Sequence, residues 1–311
     1  MLTNEEARRY LEAALVKVEP EIIRPLAKYT WTRDLPSGND LDRTVEAIAL
    51  TRITNGSGQG TSAVGGRSWL AKGANDLKGV DYDMTAEAIR VFTAGREASW
   101  TGMELERAAQ FGVKVDTERV EIISDIFQQE AQAVGYLGDE SNGIKGLLNH
   151  GSVETITGEG LLAASKVETA KLMAAFDNAM RAAEENAADN VVPSTLLVCP
   201  ADFVLLHSIK VDTGNTNVVS MIEYIEKYSY GAVSRGGMKV EKVKELKGIG
   251  GSKKNRMLFY TPETQYLKYN VLPIWREKTY DKGLQYCAAY VWRIAEVQLR
   301  HPETLLYVDG I

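Results

Sequence analysis

Histidine and cysteine are the side chains that most often serve as bases, nucleophiles or metal ligands, and this sequence contains few of either. The three histidines are His150, His207 and His301, and none has an aspartate, glutamate or cysteine at a spacing typical of a metal site. Neither Cys199 nor Cys287 belongs to a C-x-x-C motif, and both lie in apolar runs. The pattern predicts buried free thiols, and histidines with structural or surface roles.

The short motifs that mark common catalytic and cofactor sites do not occur. There is no G-x-S-x-G elbow and no H-E-x-x-H pair. The glycine-rich runs at 55–66 and 248–254 match neither the dinucleotide-binding fingerprint nor the phosphate loop, which favours flexible loops. Neighbouring carboxylates such as Asp139 and Glu140 fall in predicted loops, where charge is solvated. We therefore predict no catalytic residue, no metal ligand, no cofactor site and no enzymatic activity.

Composition limits the class of protein. The chain has 311 residues, enough for about two domains, and its 44% hydrophobic and 25% charged residues are ordinary globular values. A count of 36 basic against 42 acidic residues gives a net charge of -6 without a strong basic run, so contact with nucleic acid is predicted to be weak. There is no secretory signal and no run of about 18 apolar residues. We expect assembly in the cytoplasm and no membrane span.

The strongest secondary-structure signal is a helix over 116–135. Its apolar residues recur at steps of three and four and form one stripe, with polar residues on the other side. The stripe consists of Ile122, Ile123, Ile126, Phe127, Ala131 and Val134. Asp116 is predicted to be the N-cap, and Gly135 or Gly138 the C-terminal stop. Such a stripe needs a sheet to cover it.

The twelve residues at 138–149, after this helix, read G-D-E-S-N-G-I-K-G-L-L-N. A long helix followed by this turn resembles the spine helix and the next turn in shell proteins of the Hong Kong 97 capsid fold. That family comprises the major capsid proteins of tailed bacteriophages and the related encapsulin nanocompartments. The chain end is also similar to the family: a strand from Tyr290 is followed by H-P-E-T-L-L-Y at 301–307, like the family's closing strand and N-P-E-A type of ending.

The resemblance implies an α+β fold of the Hong Kong 97 type, organised in five segments. They are an N-terminal arm at 1–35, an extended β-hairpin loop at 36–95, a peripheral domain at 96–160 with its spine helix at 116–135, an inserted axial α/β domain at 161–261, and C-terminal peripheral strands at 262–311. Burial favours the same topology, because the long helix and the C-terminal strands are each other's only partners of sufficient length.

Local patterns predict the elements inside these segments. Glycines between two strand-like stretches, 44–54 and 87–98, indicate a hairpin with little core of its own. A capping box at 165–168 is predicted to start a helix. The elements after it are a strand at 194–199, a helix at 201–209 with Pro200 as its first residue, a helical run at 218–228, and strands at 238–246 and 256–260. A final strand at 284–291 is apolar on both faces and is predicted to be covered on both.

The function that the resemblance implies is structural. Subunits of such a protein form pentamers and hexamers of an icosahedral shell that encloses the double-stranded DNA of a tailed phage. The protein would then be a component of the virion, assembled in the host cytoplasm and making weak, non-specific contact with packaged DNA. Portal, scaffold and decoration proteins are the further partners that the family implies. Because no long charged helical segment opens the chain, we expect no scaffolding segment to be cleaved from it.

Two other functions stay open at the level of sequence. An encapsulin-type shell has the same fold and encloses an enzyme cargo, and a soluble two-domain α/β enzyme is a more remote alternative. Some capsid proteins of this fold also join subunits by a lysine-to-asparagine isopeptide bond from the extended loop. Lys72 and Lys78 lie in the matching region, but no motif identifies a partner asparagine.

Overall fold

The computed structural model describes residues 29–56, 81–104, 106, 115–163, 168–212 and 218–310. The helices named below are α1 (Trp31–Asp34), α2 (Val115–Leu137), α3 (Thr169–Asn186), α4 (Pro200–Ser208), α5 (Met221–Lys227) and α6 (Tyr230–Arg235). The strands are β1 (Ser37–Gly38), β2 (Ala47–Gly56), β3 (Asp81–Thr101), β4 (Gly138–Asp139), β5 (Ile144–Lys145), β6 (Glu154–Thr157), β7 (Thr195–Val198), β8 (Lys210–Asp212), β9 (Val218–Ser220), β10 (Lys239–Lys242), β11 (Arg256–Tyr260), β12 (Leu267–Arg276), β13 (Tyr280–Lys282), β14 (Gln285–Ala295), β15 (Gln298–Leu299) and β16 (Leu306–Asp309). Within the described ranges no helix is long and apolar enough to cross a membrane.

Two sheets organise the chain. The larger has seven strands in the order β1-β12-β14-β3-β2, with β13 paired to β14 and β15 paired to β12. The smaller has five strands in the order β10-β7-β11-β16-β6. In the larger sheet β3 is antiparallel to β14 over eleven consecutive residue pairs without a bulge. The mixed helix and sheet content agrees with the predicted α+β class.

The long helix α2 packs on the larger sheet, as its apolar stripe predicts. Phe127 meets Trp292 of β14 edge to face, with ring centroids 5.9 Å apart. The helix continues through Gly135, where an added Cβ would lie 2.8 Å from a methyl of Leu35, so this glycine serves close packing and is not a stop. Gly138, with a φ of +71°, provides the stop. Asp116 is the second residue of the helix and not its N-cap, which corrects that prediction.

The strand β14 is covered on both faces along its middle, where Cys287 is buried on the side opposite α2, but not at its start, so the prediction of cover on both faces holds only in part. Ala288, Tyr290 and Trp292 point toward α2 and are buried. At the start of the strand Leu284 is 92% exposed and Tyr286 is 48% exposed. Apolar composition cannot show how far a covering helix extends.

The five-stranded sheet separates two hydrophobic cores, because alternate residues of each strand point to opposite faces. Leu197, Leu258 and Tyr307 face the core that includes α2. Leu196, Phe259 and Leu306 face a second core with Phe176 and Met180 of α3. The last strand, β16, is antiparallel to β11 in this sheet. That pairing differs from the sequence prediction, which placed the whole of 262–311 with the long helix.

Several local predictions are confirmed and others shift. β7 and β11 lie within the predicted strands, and α4 begins at Pro200, as predicted. The run 218–228 divides instead into β9 and α5, because the Ser220 hydroxyl accepts the amide of Glu223 and caps the helix there. The stretch 238–246 is β10 followed by a 3-10 turn at Lys244–Leu246.

The predicted capping box is not formed as expected. α3 begins at Thr169, and Glu168 is its N-cap without a side-chain hydrogen bond, whereas the box needs Glu168 at the third helical position. Ser165 lies outside the described residues. So do the predicted arm up to residue 28, most of the glycine run at 55–66, and both Lys72 and Lys78.

Candidate functional surfaces

A two-stranded ribbon extends from the larger sheet. β2 pairs with the first half of β3 in ten residue pairs, from Ala47 with Arg90 to Gly56 with Asp81. The ladder is roughly 31 Å long at about 3.4 Å per residue. The second half of β3 pairs with β14, so one continuous strand runs from the sheet into the ribbon. The hairpin strands predicted at 44–54 and 87–98 are confirmed.

Among its described side chains, the ribbon has no core of its own beyond its base. Thr51, Arg52 and all of the residues from 84 to 88 are exposed, and Met84 is 62% exposed. At the base a small cluster of Leu41, Ile89 and Ala295 is buried. A two-stranded ribbon without a covered face is marginally stable in water. The described side chains of this ribbon are therefore open to contact by another surface.

A short strap, residues 29–35 including α1, lies along one side of α2. Its hydrogen bonds to the helix join Tyr29 OH to Asp125 O (3.3 Å), Trp31 Nε1 to Gln128 Oε1 (2.8 Å), Thr30 N to Gln132 Oε1 (3.0 Å) and Thr30 Oγ1 to Tyr136 OH (2.8 Å). The helix residues are spaced by three or four positions and share one side. The strap therefore fixes the start of the described chain to the long helix.

A buried carboxylate ties the strap to α2, and neighbouring groups of the strap bond the smaller sheet. The Tyr136 hydroxyl donates a short hydrogen bond to Asp34 Oδ2, and Arg33 donates from Nε at 2.6 Å and from Nη2 at 2.9 Å. Tyr260 of β11 donates to the Asp34 carbonyl at 2.9 Å. Arg33 also bonds Glu241 of β10 at 2.6 Å. Burial, and then the adjacent Asp34 carboxylate, raise the pKa of Tyr136 far above its ordinary value.

Removal of one hydroxyl from this cluster is expected to be destabilising. Tyr136→Phe leaves the Asp34 carboxylate with Arg33 alone, so we expect a loss of about 1–3 kcal/mol in unfolding free energy. Denaturant unfolding of both proteins measures it. Tyr228→Phe, at an exposed tyrosine, is the matched control and should change stability by less than about 0.5 kcal/mol. Equal stability of Tyr136→Phe and the parent would contradict the structural role of the bond.

The buried tyrosines also predict a loss of stability in alkali. Burial is the largest cause that raises the pKa values of Tyr136, Tyr260, Tyr269 and Tyr307. Each hydroxyl ionises near the ordinary pKa of 10.0 in the unfolded chain but much later when folded. Their stabilisation is therefore complete below about pH 10 and is lost as pH rises above it. The unfolding free energy should fall between about pH 8 and about pH 12. In the Tyr269→Phe variant the unfolding free energy should fall less steeply over the same range.

The turn after α2 is closed by main-chain contacts. Leu147 N donates to Gly135 O and Leu148 N to Tyr136 O, both at 2.9 Å. Asn149 joins the two ends: its Nδ2 donates to Leu137 O at 2.6 Å, and its Oδ1 accepts from Gly146 N at 2.8 Å. The chain segments on either side of the turn therefore touch through backbone atoms. That close approach explains Gly138 and Gly146, where an added Cβ would meet main-chain atoms.

The C-terminal strand is anchored by a partly buried ion pair. Arg256 of β11 donates to both oxygens of Asp309 at 2.7 and 2.9 Å and to the Leu148 carbonyl at 2.7 Å. Its guanidinium lies 4.4 Å from the ring centre of Tyr307. The Gly251 amide donates to the same carboxylate at 2.8 Å. One arginine thus connects the chain end to the turn after α2.

The residues singled out for chemistry are far apart. Cys199 and Cys287 are buried and free, as predicted. His207 is exposed, and the half-buried His150 accepts the Ser152 amide; burial, and then the charge of Lys145, lower its pKa. His301 is exposed, and its Nδ1 lies 2.8 Å from Glu303, two residues on, which is compatible with the predicted surface role. Among the described residues, no group of three His, Cys, Asp or Glu side chains could hold a metal ion.

Sequence reasoning missed the two polar clusters that matter most for this fold. Asp34 and Tyr136 are 102 positions apart, and Arg256 and Asp309 are 53 apart. The only signal in the sequence is a single charged residue at the end of an otherwise apolar strand, R-M-L-F-Y and L-Y-V-D. A charged residue at the end of a strand could equally well be exposed to solvent, so the sequence does not indicate a buried pair. The pairing became visible only when β11 and β16 were found side by side.

Comparison with known proteins agrees with this architecture. A family model described as "Major capsid protein" matches residues 65–311. The fold is similar to the capsid of Myoviridae Phage XM1, with a TM-score of 0.73 and 14% identity over 96% of this chain and 98% of that one. It is also similar to the capsid of a native GTA particle (TM-score 0.59, 13% identity, 99% of each chain). The SrpI encapsulin of Synechococcus elongatus PCC 7942 is a further structural neighbour (TM-score 0.56, 11% identity, 100% of this chain and 96% of that one). No curated protein matches the sequence.

Proposed function

This chain belongs to the major capsid protein family, and we propose that copies of it assemble into the icosahedral shell around the double-stranded DNA genome of a tailed phage. The observation that carries the proposal is the ribbon of β2 and β3, which exposes both faces. In a shell of identical subunits, the surface that completes it belongs to a neighbouring copy. Such contacts are heterologous and form rings when the rotation closes.

We propose the segment roles that the Hong Kong 97 type implies. Residues 36–95 act as the extended hairpin loop, which the ribbon supports. The packing of α2 on the seven-stranded sheet supports the peripheral domain with α2 as spine helix. The separate core around α3 supports an inserted axial domain at 161–261, to which the structure adds β6 and β16 as strands of the same sheet. Residues 1–35 act as an arm.

We further propose that assembly takes place in the host cytoplasm, with pentamers and hexamers as its units and portal, scaffold and decoration proteins as partners. The net charge of -6 supports an inner wall that holds DNA weakly, because counterion release from phosphates needs basic groups. Binding of each subunit rests on several modest contacts. Their combination around a closed shell gives far stronger association than any single contact.

The decisive experiment is light scattering after size exclusion of the purified protein, with negative-stain images of the leading peak. Uniform shells, or rings of five and six subunits, are the expected result. Mass spectrometry and nucleic-acid staining of shells purified from the native source then identify the contents. DNA supports the phage capsid, whereas an enzyme cargo would support the encapsulin alternative. A monomer or dimer that fails to assemble even with crowding agents and co-expressed phage head proteins would contradict the shell.

A shortened ribbon should abolish assembly without unfolding the subunit. Thr51 pairs with Ala86, so residues 51–86 can be replaced by an Asn-Gly turn that preserves the remaining register. We expect a soluble subunit with native circular dichroism and no shells. A milder variant that replaces only 57–80 keeps all ten residue pairs and serves as the control for loss of the loop alone. Normal shells from the shortened ribbon would show that the ribbon is not an assembly element.

A further inference from the structure

Positive charge is concentrated in one short part of this acidic chain. The stretch 239–256 contains seven basic and two acidic residues, which is 7 minus 2, or +5. The other 293 residues contain 29 basic and 40 acidic ones, which is 29 minus 40, or -11. The net charge of the whole chain does not show this segregation, because the two regions largely cancel.

Strand pairing places most of these lysines at one end of the smaller sheet. β7 lies between β10 and β11, and Lys242 at the end of β10 pairs with Val198 at the end of β7. β11 is antiparallel to β7, with Leu258 opposite Leu197, so it begins at the same end. Since β10 and β11 are only about 10 Å apart across β7, the chain that joins them carries its lysines over this one end.

The lysine side chains at this end of the sheet form one surface, called the lysine patch below. It consists of five exposed residues, Lys242, Lys244, Lys247, Lys253 and Lys254. Among the described residues its only ion pair joins Lys244 Nζ to Glu245 at 3.8 Å. Lys242 Nζ lies 5.1 Å from the ring centre of Phe203. The other three ammonium groups face solvent.

The acidic side chains next to the patch are bonded to other groups. Glu245 accepts a hydrogen bond from α2 at 2.6 Å, and Glu241 accepts one from the strap at 2.6 Å. Asp202 accepts from Asn255 Nδ2 at 3.0 and 3.1 Å. Asp309 is held in the partly buried ion pair described above. Each carboxylate has another principal partner, so the patch keeps an excess of positive charge.

We propose that the lysine patch contacts the phosphate backbone of the DNA that the shell encloses. This inference rests on the proposed function and names the surface that meets the enclosed genome. A lysine ammonium is a compact point charge that binds phosphate without reading base edges, so the contact is independent of DNA sequence. The rest of the chain, at -11, is repelled by the same phosphates. The contact is therefore confined to the patch.

The composition of the patch favours nucleic acid over an acidic protein segment as the partner. Protein interfaces are depleted in lysine and depend on aromatic or apolar anchors. The stretch 242–254 offers no such anchor, because Val243 and Leu246 are buried and Ile249 packs against the core that includes α2. The exposed positions between its lysines include only glycine and serine, at Gly248, Gly251 and Ser252. A surface of this kind offers charge and little else.

The salt dependence of DNA binding tests the patch on full-length subunits dissociated from shells. Fluorescence anisotropy of a labelled duplex of about 20 base pairs is measured from about 50 to about 200 mM salt. Five phosphate contacts correspond to a slope of about -4.5 in log affinity against log salt. A triple variant with Lys247→Gln, Lys253→Gln and Lys254→Gln should bind at least about tenfold more weakly at the lowest salt, with a slope smaller by about 3. Absence of duplex binding by the parent at the lowest salt would overturn the proposal.

A second triple variant loses the same charge outside the patch. Lys171→Gln, Lys210→Gln and Lys278→Gln replace three other exposed lysines. Charges more than about 10 Å from the DNA are screened, so this variant should keep the affinity of the parent within about twofold. Both triple variants change only exposed side chains and should keep the melting temperature within a few degrees. Equal weakening by the two would show that only net charge matters, against the proposal.

Polyglutamate with the same total charge as the duplex tests the class of partner. Its charges are about 3.3 Å apart along an extended chain, whereas those of duplex DNA are about 1.7 Å apart along the helix axis. We therefore expect polyglutamate to bind at least about tenfold more weakly than the duplex at the same salt. Equal affinity for the two would identify an acidic protein segment as the partner and overturn the assignment to DNA.

Formaldehyde cross-linking of DNA-filled particles from the native source tests whether the patch faces the genome. After digestion, peptides that carry nucleotide adducts should come mainly from 239–254. Adducts on other lysines with none in the patch would overturn this inference while the shell itself stands. A protein that never forms shells refutes the proposed function, and binding of the duplex by free subunits then still reports on the patch.

Discussion

Replacement of Arg256 by alanine is expected to lower the unfolding free energy by about 3–5 kcal/mol. The side chains of Arg256 and Asp309 are only 12% and 5% exposed. Removal of the arginine leaves the carboxylate buried with the Gly251 amide as its hydrogen-bond donor. It also removes the bond to Leu148 O and the contact with the Tyr307 ring. A charge left without its partner accounts for most of the loss.

Chemical denaturation of Arg256→Ala, Asp309→Ala and the double variant measures the pair and its coupling. The double variant should be more stable than the sum of the two single losses predicts, since neither charge is then left alone. Lys227→Ala is the control: its bridge to Glu223 is exposed on both sides, and its loss should cost less than about 0.5 kcal/mol. Strictly additive losses at Arg256 and Asp309 would show that the two side chains do not act as a pair.

The same pair predicts how stability changes in acid. Burial by itself would raise the pKa of Asp309, but the hydrogen bonds from Arg256 and the Gly251 amide outweigh it and lower that pKa below its ordinary value of 3.8. The stabilisation is therefore complete above about pH 4 and is lost as pH falls through the folded pKa. Unfolding free energy should decline below about pH 4, and Asp309→Asn should lessen the decline.

The second large effect is expected at Gly146 in the turn after α2. A Cβ added there would lie 2.5 Å from Gly138 N and closer still to Tyr136 O, both main-chain atoms that cannot rotate away. Gly146→Ala must therefore push the turn away from the end of α2. That movement breaks the bonds of Leu147 and Leu148 to the helix. We expect a loss of about 3 kcal/mol or more.

Two other glycines separate crowding from backbone conformation. Gly143 has a φ of +68° and open space around its Cβ position, so Gly143→Ala should cost only about 1–2 kcal/mol. Gly151 has open space without a positive φ in the left-handed region, and Gly151→Ala should stay within about 0.5 kcal/mol of the parent. Thermal and denaturant unfolding rank the three. A Gly146→Ala variant as stable as Gly151→Ala would mean that the turn does not approach the helix this closely.

Sequence alone determined the elements whose signal is local. The apolar stripe of α2 predicted the helix and the need for a covering sheet, because apolar residues that recur with a period near 3.6 residues are typical of a helix with one buried side. The turn at 138–149 and the chain end identified the family, which the match over 65–311 confirmed. Glycine between strand-like stretches indicated the ribbon. The buried, unpaired thiols of Cys199 and Cys287 followed from their apolar neighbours and the absence of paired motifs.

Only the tertiary structure decided which distant residues meet. Gly135 looked like a helix stop but lies inside α2, because Leu35 and Tyr269 press against it. β14 looked buried on both faces along its whole length, but Leu284 and Tyr286 at its start are exposed. β16 joined the smaller sheet through its pairing with β11. The clusters around Asp34 and Asp309 depend on side chains brought together by those packings. Local propensity depends on a few residues that are adjacent in sequence. Burial and strand pairing depend on residues that the fold brings within a few ångströms of each other, however far apart they are in sequence.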